Sequence, residues 1–288
     1  MISTMDDCKR GMLYICATPI GNLEDITLRV LRVLREVDVI AAEDTRTTIK
    51  LLNYYEISKP LTSYHEHNKI AKARHIIDKI KVGESVALVT DAGMPGISDP
   101  GQELIEMCHK EGVSVTICPG ATAGVSALVL SGIAARRYAF EGFLPRDKKE
   151  RRKALEALAQ ETCATIIYEA PHRLLETLRD LQKYVGKREV AVVREITKKF
   201  EEVQRGDLAD IIEFFTEKPP KGEFVVILEG CTNVEPANDW PESLNEHVKI
   251  YLDVGFDEKG AMKMVAKDRG VSKSIVYSEY KIKSYRVD

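Results

Sequence analysis

The sequence predicts an α/β protein with two sheet-containing domains and a small helical appendage. A chain of 288 residues is longer than one minimal core requires, and two domains are the usual outcome at this length. Strand and helix patterns alternate through the first half, which is typical of a parallel sheet covered by helices. Late in the second half, strand patterns follow one another directly and indicate a mixed sheet.

These patterns divide the chain into five segments. They are a flexible leader over 1–11, an N-terminal α/β domain over 12–132, a second α/β domain over 133–230, a linker over 231–241 and a helix-turn-helix-like tail over 242–288. The leader places acidic residues before any apolar stretch, which argues against a secretory signal. No apolar run reaches the roughly 20 residues that cross a bilayer, so we expect no membrane association.

In the first half, apolar runs and turn residues mark the elements. Leu28, Leu31 and Leu34 recur at helical intervals, and Asp99 is placed to cap a helix that ends near residue 110. The predicted strands are 12–17, 37–42, 61–63, 85–90 and 113–118, and the other predicted helices are 23–37, 45–55, 68–81 and 122–130.

The second half and the tail are assigned in the same way. The predicted strands are 138–144, 164–168, 189–194, 200–205 and 223–229, the helices between them are 147–158, 171–184 and 208–215, and the tail helices are 242–254, 258–269 and 272–283. Gly270 lies where a C-cap glycine belongs, and Ser272 can cap the last helix. This spacing is that of a helix-turn-helix, and a small packing appendage without nucleic acid is the alternative.

The overall charge does not indicate a nucleic-acid binder, because the formal net charge is −3. Local charge is uneven, however: basic residues cluster over 136–153 and again over 259–286. Phosphate contacts need a local positive face rather than a basic total. Taken alone, each cluster is more typical of a solvated helix face than of a phosphate-binding surface.

The six cysteines are widely spaced and form no C-x-x-C pair. This spacing argues against a zinc site and against a disulfide framework. We therefore expect buried, reduced thiols and a cytoplasmic protein.

Three glycine-rich turns follow predicted strands, at 18–22, 90–101 and 118–124. The second holds three glycines and two prolines between Thr90 and Gly101, and so requires an unusual, fixed backbone. Glycine lets the main chain approach a ligand closely. Because ligands of such sheets bind beyond the carboxyl ends of the strands, the three turns are predicted to gather there and form a binding slot. No G-x-G-x-x-G follows the first strand, so an ordinary dinucleotide-binding fold is unsupported.

Nine segments together resemble the tetrapyrrole (corrin/porphyrin) methylase family, over about residues 12–230. They are ATPIGNLEDIT (17–27), AAEDTRTT (41–48), SYHEHN (63–68), VTDAGMPGISDPG (89–101), CPGATAG (118–124), FEGFLPR (140–146), YEAPHR (168–173), VREITKKFEE (193–202) and GEFVVILEG (222–230). The resemblance is stronger to the ribosomal branch of the family. The corrin branch begins its later loop Gly-Asp-Pro, where this chain reads Thr90-Asp91-Ala92.

The resemblance implies the two-domain tetrapyrrole-methylase fold, with S-adenosylmethionine in the cleft between the domains. By position, the residues implied to contact this donor are Pro19, Ile20, Gly21, Asp91, Ala92, Gly93, Met94, Thr122, Ala123, Ala170 and Ile196. The resemblance also implies 2′-O-methylation of a cytidine in 16S ribosomal RNA, with the RNA or the small ribosomal subunit as partner, and a homodimer.

Methylation of a hydroxyl needs alignment of the two substrates and removal of a proton. Glu169 is the first candidate for the base and Glu43 the second. The segment Glu43-Asp44-Thr45-Arg46 is also typical of a helix cap with a local ion pair. His65 and His67 alone make a poor metal site, and we expect no metal.

The RNA is expected to lie over the cleft. The residues predicted to grip it are Arg46, Arg146, Lys148, Lys149, Arg151 and Arg152. Two alternatives stay open from the sequence: a methylase of the same fold that acts on a corrin ring or a diphthamide precursor, and a non-catalytic RNA-binding protein.

Overall fold

The structure is a computed structural model, and it describes residues 11–232, 240–241 and 243–284. Residues 1–10 of the predicted leader and 233–239 of the predicted linker therefore lie outside the described residues. The chain forms two compact units, Met1–Thr232 and Asn233–Asp288. The boundary predicted at 132/133 falls between two sheets that both belong to the first unit.

The first sheet is fully parallel, as predicted. Its strands are β1 (Met12–Cys16), β2 (Val39–Ala42), β3 (Leu61–Ser63), β4 (Val86–Val89) and β5 (Ser114–Cys118). Their order is β3-β2-β4-β1-β5, so β4 and β1 are interior strands, and every residue of β4 is buried. The carboxyl ends of all five strands consequently lie at the same edge.

Helices cover both faces of this sheet. They are α1 (Leu28–Glu36), α2 (Thr45–Tyr54), α3 (Lys69–Lys81) and α4 (Gln102–Lys110), and α5 (Ala123–Ser131) follows β5. One core contains Val33 of α1 and Leu52 of α2, and the other contains Ile77 of α3 and Leu104 of α4.

Two details of the predicted helices are wrong. The segment 23–37 is not one helix: a short 3-10 turn over Leu23–Asp25 precedes α1, which begins where the Thr27 hydroxyl accepts a hydrogen bond from the Val30 N–H at 3.2 Å. Asp99 does not cap α4, because that helix begins after Gly101, whose φ is 153°. The Asp99 side chain is thus available for another role.

The second sheet is mixed, also as predicted. Its strands are β6 (Tyr138–Phe143), β7 (Ala164–Glu169), β8 (Glu189–Arg194), β9 (Glu202–Asp207) and β10 (Phe224–Leu228). Their order is β6-β7-β10-β8-β9, and only the β6–β7 pair is parallel. β9 begins two residues later than predicted, because the Glu201 carboxylate accepts a hydrogen bond from the Thr197 N–H at 2.7 Å and closes a turn before the strand.

The two faces of the second sheet have different coverings. Helices α6 (Lys148–Gln160), α7 (Pro171–Val185) and α8 (Leu208–Glu217) pack on one face, with Leu155 and Leu178 in the shared core. The other face packs against α5, whose Ala127 and Leu128 lie in one core with Ile166 and Val225. Helix α5 therefore connects the two sheets by burying apolar surface against the second one.

The C-terminal unit contains α9 (Leu244–Asp253), α10 (Glu258–Asp268) and α11 (Lys273–Ser284). Its small core includes Val248, Val265 and Val276. The predicted C-cap is confirmed: Gly270 has φ 60°, and the Val271 N–H donates to the Ala266 carbonyl at 3.0 Å. None of the described helices combines the length and the apolar character that crossing a membrane requires.

Candidate active site

Three turns meet at the carboxyl edge of the first sheet. Thr18 and Gly93 exchange two backbone hydrogen bonds, with N···O distances of 2.9 and 3.1 Å, and the Thr18 hydroxyl donates to the Thr90 carbonyl at 3.0 Å. The Ala17 N–H donates to the Cys118 carbonyl at 3.2 Å and joins the third turn to the first. The predicted gathering of the turns is confirmed.

Two glycines permit this close approach. Gly93 has φ 82°, a left-handed conformation that side chains other than glycine rarely adopt. At Gly120 an added Cβ would lie 2.8 Å from the methyl group of Ala17, closer than two carbon atoms approach without repulsion. The first and third turns can therefore touch only because position 120 has no side chain.

A cavity of about 340 Å³, here called the central cavity, opens beside these turns. Eight of the eleven predicted donor contacts line it: Ile20, Ala92, Gly93, Met94, Thr122, Ala123, Ala170 and Ile196. Most of its wall is apolar, with a few polar groups among the apolar side chains. That composition is typical of a small-molecule site.

The other three predicted contacts, Pro19, Gly21 and Asp91, line an adjoining cavity of about 420 Å³, here called the side cavity. Ile20, Ala92 and Glu223 belong to the walls of both cavities. The structure therefore brings all eleven predicted donor residues to two neighbouring cavities that share part of their wall.

The second sheet supplies a wall that sequence reasoning largely missed. Beyond the predicted donor contacts, the wall of the central cavity contains Ile97, Ser98, Asp99, Phe143, Tyr168, Glu169, Pro171, Val193, Glu223, Phe224 and Val225. The first three belong to the 90–101 loop, and the other eight belong to the second half of the chain. Glu169 is predicted as a base and Asp99 as a helix cap, whereas the other nine carry no predicted role. The Tyr168 hydroxyl oxygen accepts a hydrogen bond from the Gly124 N–H at 3.0 Å and so joins β7 to the start of α5. Tyr168 lies inside the YEAPHR segment, which could have indicated it.

Phe140 and Phe143 form an aromatic cluster with Tyr168. Both rings meet the Tyr168 ring edge to face, with centroid distances of 5.3 and 5.7 Å. Phe140 is 41% exposed and Phe143 is 54% exposed. Partly exposed aromatic rings beside a cavity can stack on a planar ligand such as a nucleobase.

A third, open cavity of about 790 Å³, here called the outer cavity, lies next to the central one. Its wall includes four carboxylates, Glu43, Glu66, Asp99 and Glu103. Ile97, Ser98 and Asp99 line both the outer and the central cavity. These three residues therefore lie on the boundary between the two spaces.

Burial perturbs the acids at this boundary. It raises the pKa of Asp99 to about 6, with further contributions from the negative charges of Glu43 and Asp91. Burial also raises the pKa of Glu43, against the opposing effect of a hydrogen bond from the Asp91 N–H. That bond measures 3.2 Å. Strongly perturbed carboxyl groups in a cleft are characteristic of functional sites.

Glu169 lies at the central cavity, but its carboxylate is already engaged. One oxygen accepts the Ala170 N–H at 2.9 Å, the other accepts the Thr177 hydroxyl at 2.6 Å, and the Arg173 Nε lies 3.7 Å away. The Glu169 side chain has no exposed surface. These contacts fix the start of α7 to the end of β7.

The segment Glu43-Asp44-Thr45-Arg46, which follows β2, forms the helix cap and local ion pair that its sequence is also typical of. The Asp44 carboxylate accepts the Arg46 N–H at 2.8 Å, and the Arg46 guanidinium lies 2.6 Å from the same carboxylate. Hydrogen bonds from Arg46 lower the pKa of Asp44 to about 2. The Arg46 side chain is 87% exposed, so phosphate could still reach it.

The predicted basic surface requires one correction. Arg146, Lys148 and Lys149 are exposed, and Arg152 is 69% exposed beside Glu156. Arg151 is only 8% exposed.

The assignment of Arg151 to an RNA-facing surface is therefore wrong. Its Nε lies 2.8 Å from the Asp180 carboxylate, and its guanidinium also donates to the Thr177 hydroxyl at 2.9 Å. Arg151 thus connects α6 to α7 inside the unit.

The two histidines of the SYHEHN segment do not form a metal site with other described side chains. His65 Nε2 lies 3.1 Å from the Asn68 side-chain nitrogen. The backbone N–H of His65 donates to the Asn68 side-chain oxygen at 2.9 Å. In the part of the chain that the structure describes, no three His, Cys, Asp or Glu side chains are grouped to hold a metal ion.

Comparison with known proteins connects this site to one family. The sequence pattern of the Tetrapyrrole (Corrin/Porphyrin) Methylases matches residues 12–212. The ribosomal RNA small subunit methyltransferase I of Halalkalibacterium halodurans is 50% identical, over 94% of this chain and 95% of the relative. The protein of the same name from Bacillus subtilis is 48% identical, over 95% of each chain.

A solved structure shares the fold. Uroporphyrin-III C-methyltransferase from Thermus thermophilus, solved in complex with S-adenosyl homocysteine, aligns with a TM-score of 0.53 and 18% identity. The alignment covers 76% of this chain and 97% of that one.

The contact between Gly120 and Ala17 leads to a stability prediction. Gly120→Ala should lower the free energy of unfolding by about 1–3 kcal/mol, because the new methyl group overpacks the junction of the first and third turns. Urea denaturation of the full chain measures this change.

The matched control is the double variant Ala17→Gly, Gly120→Ala, which keeps a single methyl group at the contact. It should be more stable than Gly120→Ala alone. Equal stability of Gly120→Ala and the parent protein would show that the turns do not touch in this way.

Proposed function

The chain belongs to the tetrapyrrole (corrin/porphyrin) methylase family, and from this premise we propose that it methylates ribosomal RNA of the small subunit, with S-adenosylmethionine as the donor. The observation that carries the proposal is the central cavity, where the three glycine-rich turns meet the second sheet. The names of the relatives support the choice of RNA as acceptor.

The central cavity fits the donor in shape and chemistry. Gly93 turns the second loop in a left-handed conformation, and because it has no side chain a ligand can come close to the backbone there. Ile20, Ile196 and Val225 offer apolar surface to an adenine ring, and Thr122 adds a hydroxyl group. When bound, S-adenosylmethionine supplies a methyl group activated by a positively charged sulfur.

The protein's own contribution to such a reaction is mainly alignment. Two substrates held side by side react faster because the entropy of bringing them together has already been given up on binding. Ile97, Ser98 and Asp99 lie between the central and the outer cavity. An acceptor in the outer cavity would therefore meet a donor in the central cavity along this short segment.

We propose the 2′-hydroxyl of a cytidine in 16S ribosomal RNA as the acceptor. The exposed rings of Phe140 and Phe143 are suited to stacking on an unpaired base. The exposed cations Arg46, Arg146, Lys148, Lys149 and Arg152 are suited to the flanking phosphates. Ribosomal RNA would place the enzyme in the cytoplasm.

We also propose a homodimer. Val125 and Val129 lie one turn apart on α5 and are 44% and 79% exposed, and Ile117 on the edge strand β5 is 51% exposed. Exposed apolar side chains are candidates for an association surface, and an edge strand is open to pairing. A second copy of the chain would cover this surface.

The donor site is tested by a substitution that fills it. Ala123→Leu should weaken binding of S-adenosyl homocysteine at least tenfold in calorimetric titration, because the larger side chain occupies the central cavity. Labelled methyl transfer to small subunits that lack the modification should fall in parallel, with the label recovered in a 2′-O-methylated cytidine.

Ala134→Leu, at an exposed position, is the matched control and should bind and react normally. Unchanged affinity in Ala123→Leu would remove the central cavity as the donor site. Label recovered in protein or in a tetrapyrrole instead of RNA would support the alternative acceptors.

The RNA surface is tested by neutralising Lys148, Lys149 and Arg152 to glutamine. RNA binding should weaken, and the slope of log affinity against log salt should flatten by roughly 0.7 for each phosphate of single-stranded RNA that the variant no longer neutralises. Binding of S-adenosyl homocysteine should stay the same.

Neutralising Lys81, Lys110 and Lys187, which are exposed cations away from residues 148–152, provides a control of equal charge. If the affinity of both triple variants falls by the same factor, the effect is one of overall charge and the proposed surface is not the binding face.

The dimer surface is tested by sedimentation equilibrium. The parent chain should sediment at twice its mass, and Val129→Lys should shift it towards the monomer because a charge is expensive to bury at an apolar interface. Val82→Lys is the control, since Val82 is 80% exposed and lies outside this surface. A monomeric parent chain would exclude the dimer.

A further inference from the structure

We propose that Asp99 is the catalytic residue that accepts the proton of the acceptor hydroxyl during methyl transfer. This inference rests on the proposed function and assigns one step of it. It replaces Glu169 and Glu43, the two candidates favoured by the sequence.

Of the three residues shared by the central and the outer cavity, Ile97, Ser98 and Asp99, only Asp99 carries a carboxylate. A base must lie within hydrogen-bond reach of the proton that it removes. A hydroxyl group that meets the donor at the boundary of the two cavities would have this carboxylate beside it.

The other carboxylates of the two cavities have partners. In the central cavity, Glu169 accepts two hydrogen bonds and Glu223 accepts one from the Lys198 ammonium at 2.8 Å. In the outer cavity, Glu66 and Glu103 both pair with Lys69, and Glu43 accepts the Asp91 N–H.

Asp99 differs from all of them. Within the described residues, its carboxylate has neither a hydrogen bond nor an ion pair, and burial and nearby negative charges are what perturb it. An unengaged carboxylate can hold a substrate hydroxyl without first breaking an existing contact.

Burial and, after it, nearby negative charge set the basicity of Asp99. Burial, together with the charges of Glu43 and Asp91, raises its pKa to about 6, and Asp99 in turn contributes to the raised pKa of Tyr168. The other titratable groups lining the two cavities are Glu66, Glu103, Glu169 and Glu223. A base whose pKa lies just below the working pH is ionised and still a good proton acceptor.

The acceptor O–H bond breaks and its proton passes to a carboxylate oxygen of Asp99, while a bond forms between that hydroxyl oxygen and the methyl carbon. The bond from the methyl carbon to sulfur breaks, and its electron pair stays on the sulfur as a neutral thioether. Asp99 ends the step protonated and returns its proton to water.

The test is single-turnover methyl transfer to unmodified small subunits at saturating donor, between pH 5 and 9. The parent rate should fall tenfold per pH unit below about pH 6, as Asp99 becomes protonated. Asp99→Asn should lower the rate at pH 7.5 by roughly 10²-fold or more and abolish this inflection. Asp99→Glu should recover part of the rate together with an inflection.

Two further measurements separate catalysis from structure. Binding of S-adenosyl homocysteine to Asp99→Asn should stay within about twofold of the parent value, because a base need not hold the donor. Carbon-13 NMR titration of the Asp99 carboxyl should follow its protonation near pH 6 without any turnover. Glu43→Gln should lower both that midpoint and the kinetic inflection, since it removes one of the negative charges.

The matched control is Asp78→Asn, the same change at an exposed position on α3, which should give the parent profile. The proposal is overturned if Asp99→Asn retains a rate within threefold of the parent with the inflection unchanged, or if donor binding falls to the same extent as the rate. If the parent protein itself transfers no methyl group to small subunits, the proposed function fails, and the NMR titration still reports on Asp99 separately.

Discussion

The backbone contact between Thr18 and Gly93 is the constraint on which the site depends. It joins the turns that follow β1 and β4, the two central neighbours of the first sheet, through two hydrogen bonds. With these turns held together, Ile20 and Met94 face the same cavity. Buried backbone donors and acceptors must be paired, so this contact also satisfies groups that would otherwise be costly at the base of the cleft.

Helix α5 connects these turns to the second sheet. Its first turn belongs to the cavity through Ala123, its middle packs against the second sheet through Ala127 and Leu128, and the Gly124 N–H donates to Tyr168. One short helix therefore positions both walls of the cleft. Its apolar character on all sides agrees with this double burial and with the exposed valines that we assign to a dimer.

The acidic residues of the cleft show how environment separates similar side chains into different roles. Glu169 is fully buried, yet it is stabilised by two hydrogen bonds and a neighbouring arginine. Asp99 is less buried and lacks such partners, so desolvation dominates and its pKa rises. A hydrogen-bonded carboxylate stabilises the fold, whereas an unpaired one keeps its reactivity.

The amino-acid sequence alone determined the secondary-structure elements, the loop that marks the site and the residues of the donor site. The spacing of apolar residues identified the strands and helices. An element that buries one face repeats its apolar residues with its own period, and a strand that is buried on both faces appears as a continuous apolar run. Glycine and proline in the 90–101 loop marked the site, because few other residues adopt such a backbone. The quoted segments also led to the family, and all eleven donor residues carried over by position lie at the central and side cavities.

Which charged side chains are free depends instead on the packing of distant segments. Arg151 looked like its neighbours in a basic run, but it is buried against Thr177 and Asp180, which lie 26 and 29 residues away. Asp99 was predicted to cap a helix. Its pKa is instead raised by burial and by the charge of Glu43, which is distant in the sequence. Contacts between remote parts of the chain decide which side chains are buried and which are paired. These contacts set both the pKa and the exposure of a charged side chain. No local sequence pattern could therefore have distinguished the charged side chains that are already paired from those that are available to a ligand.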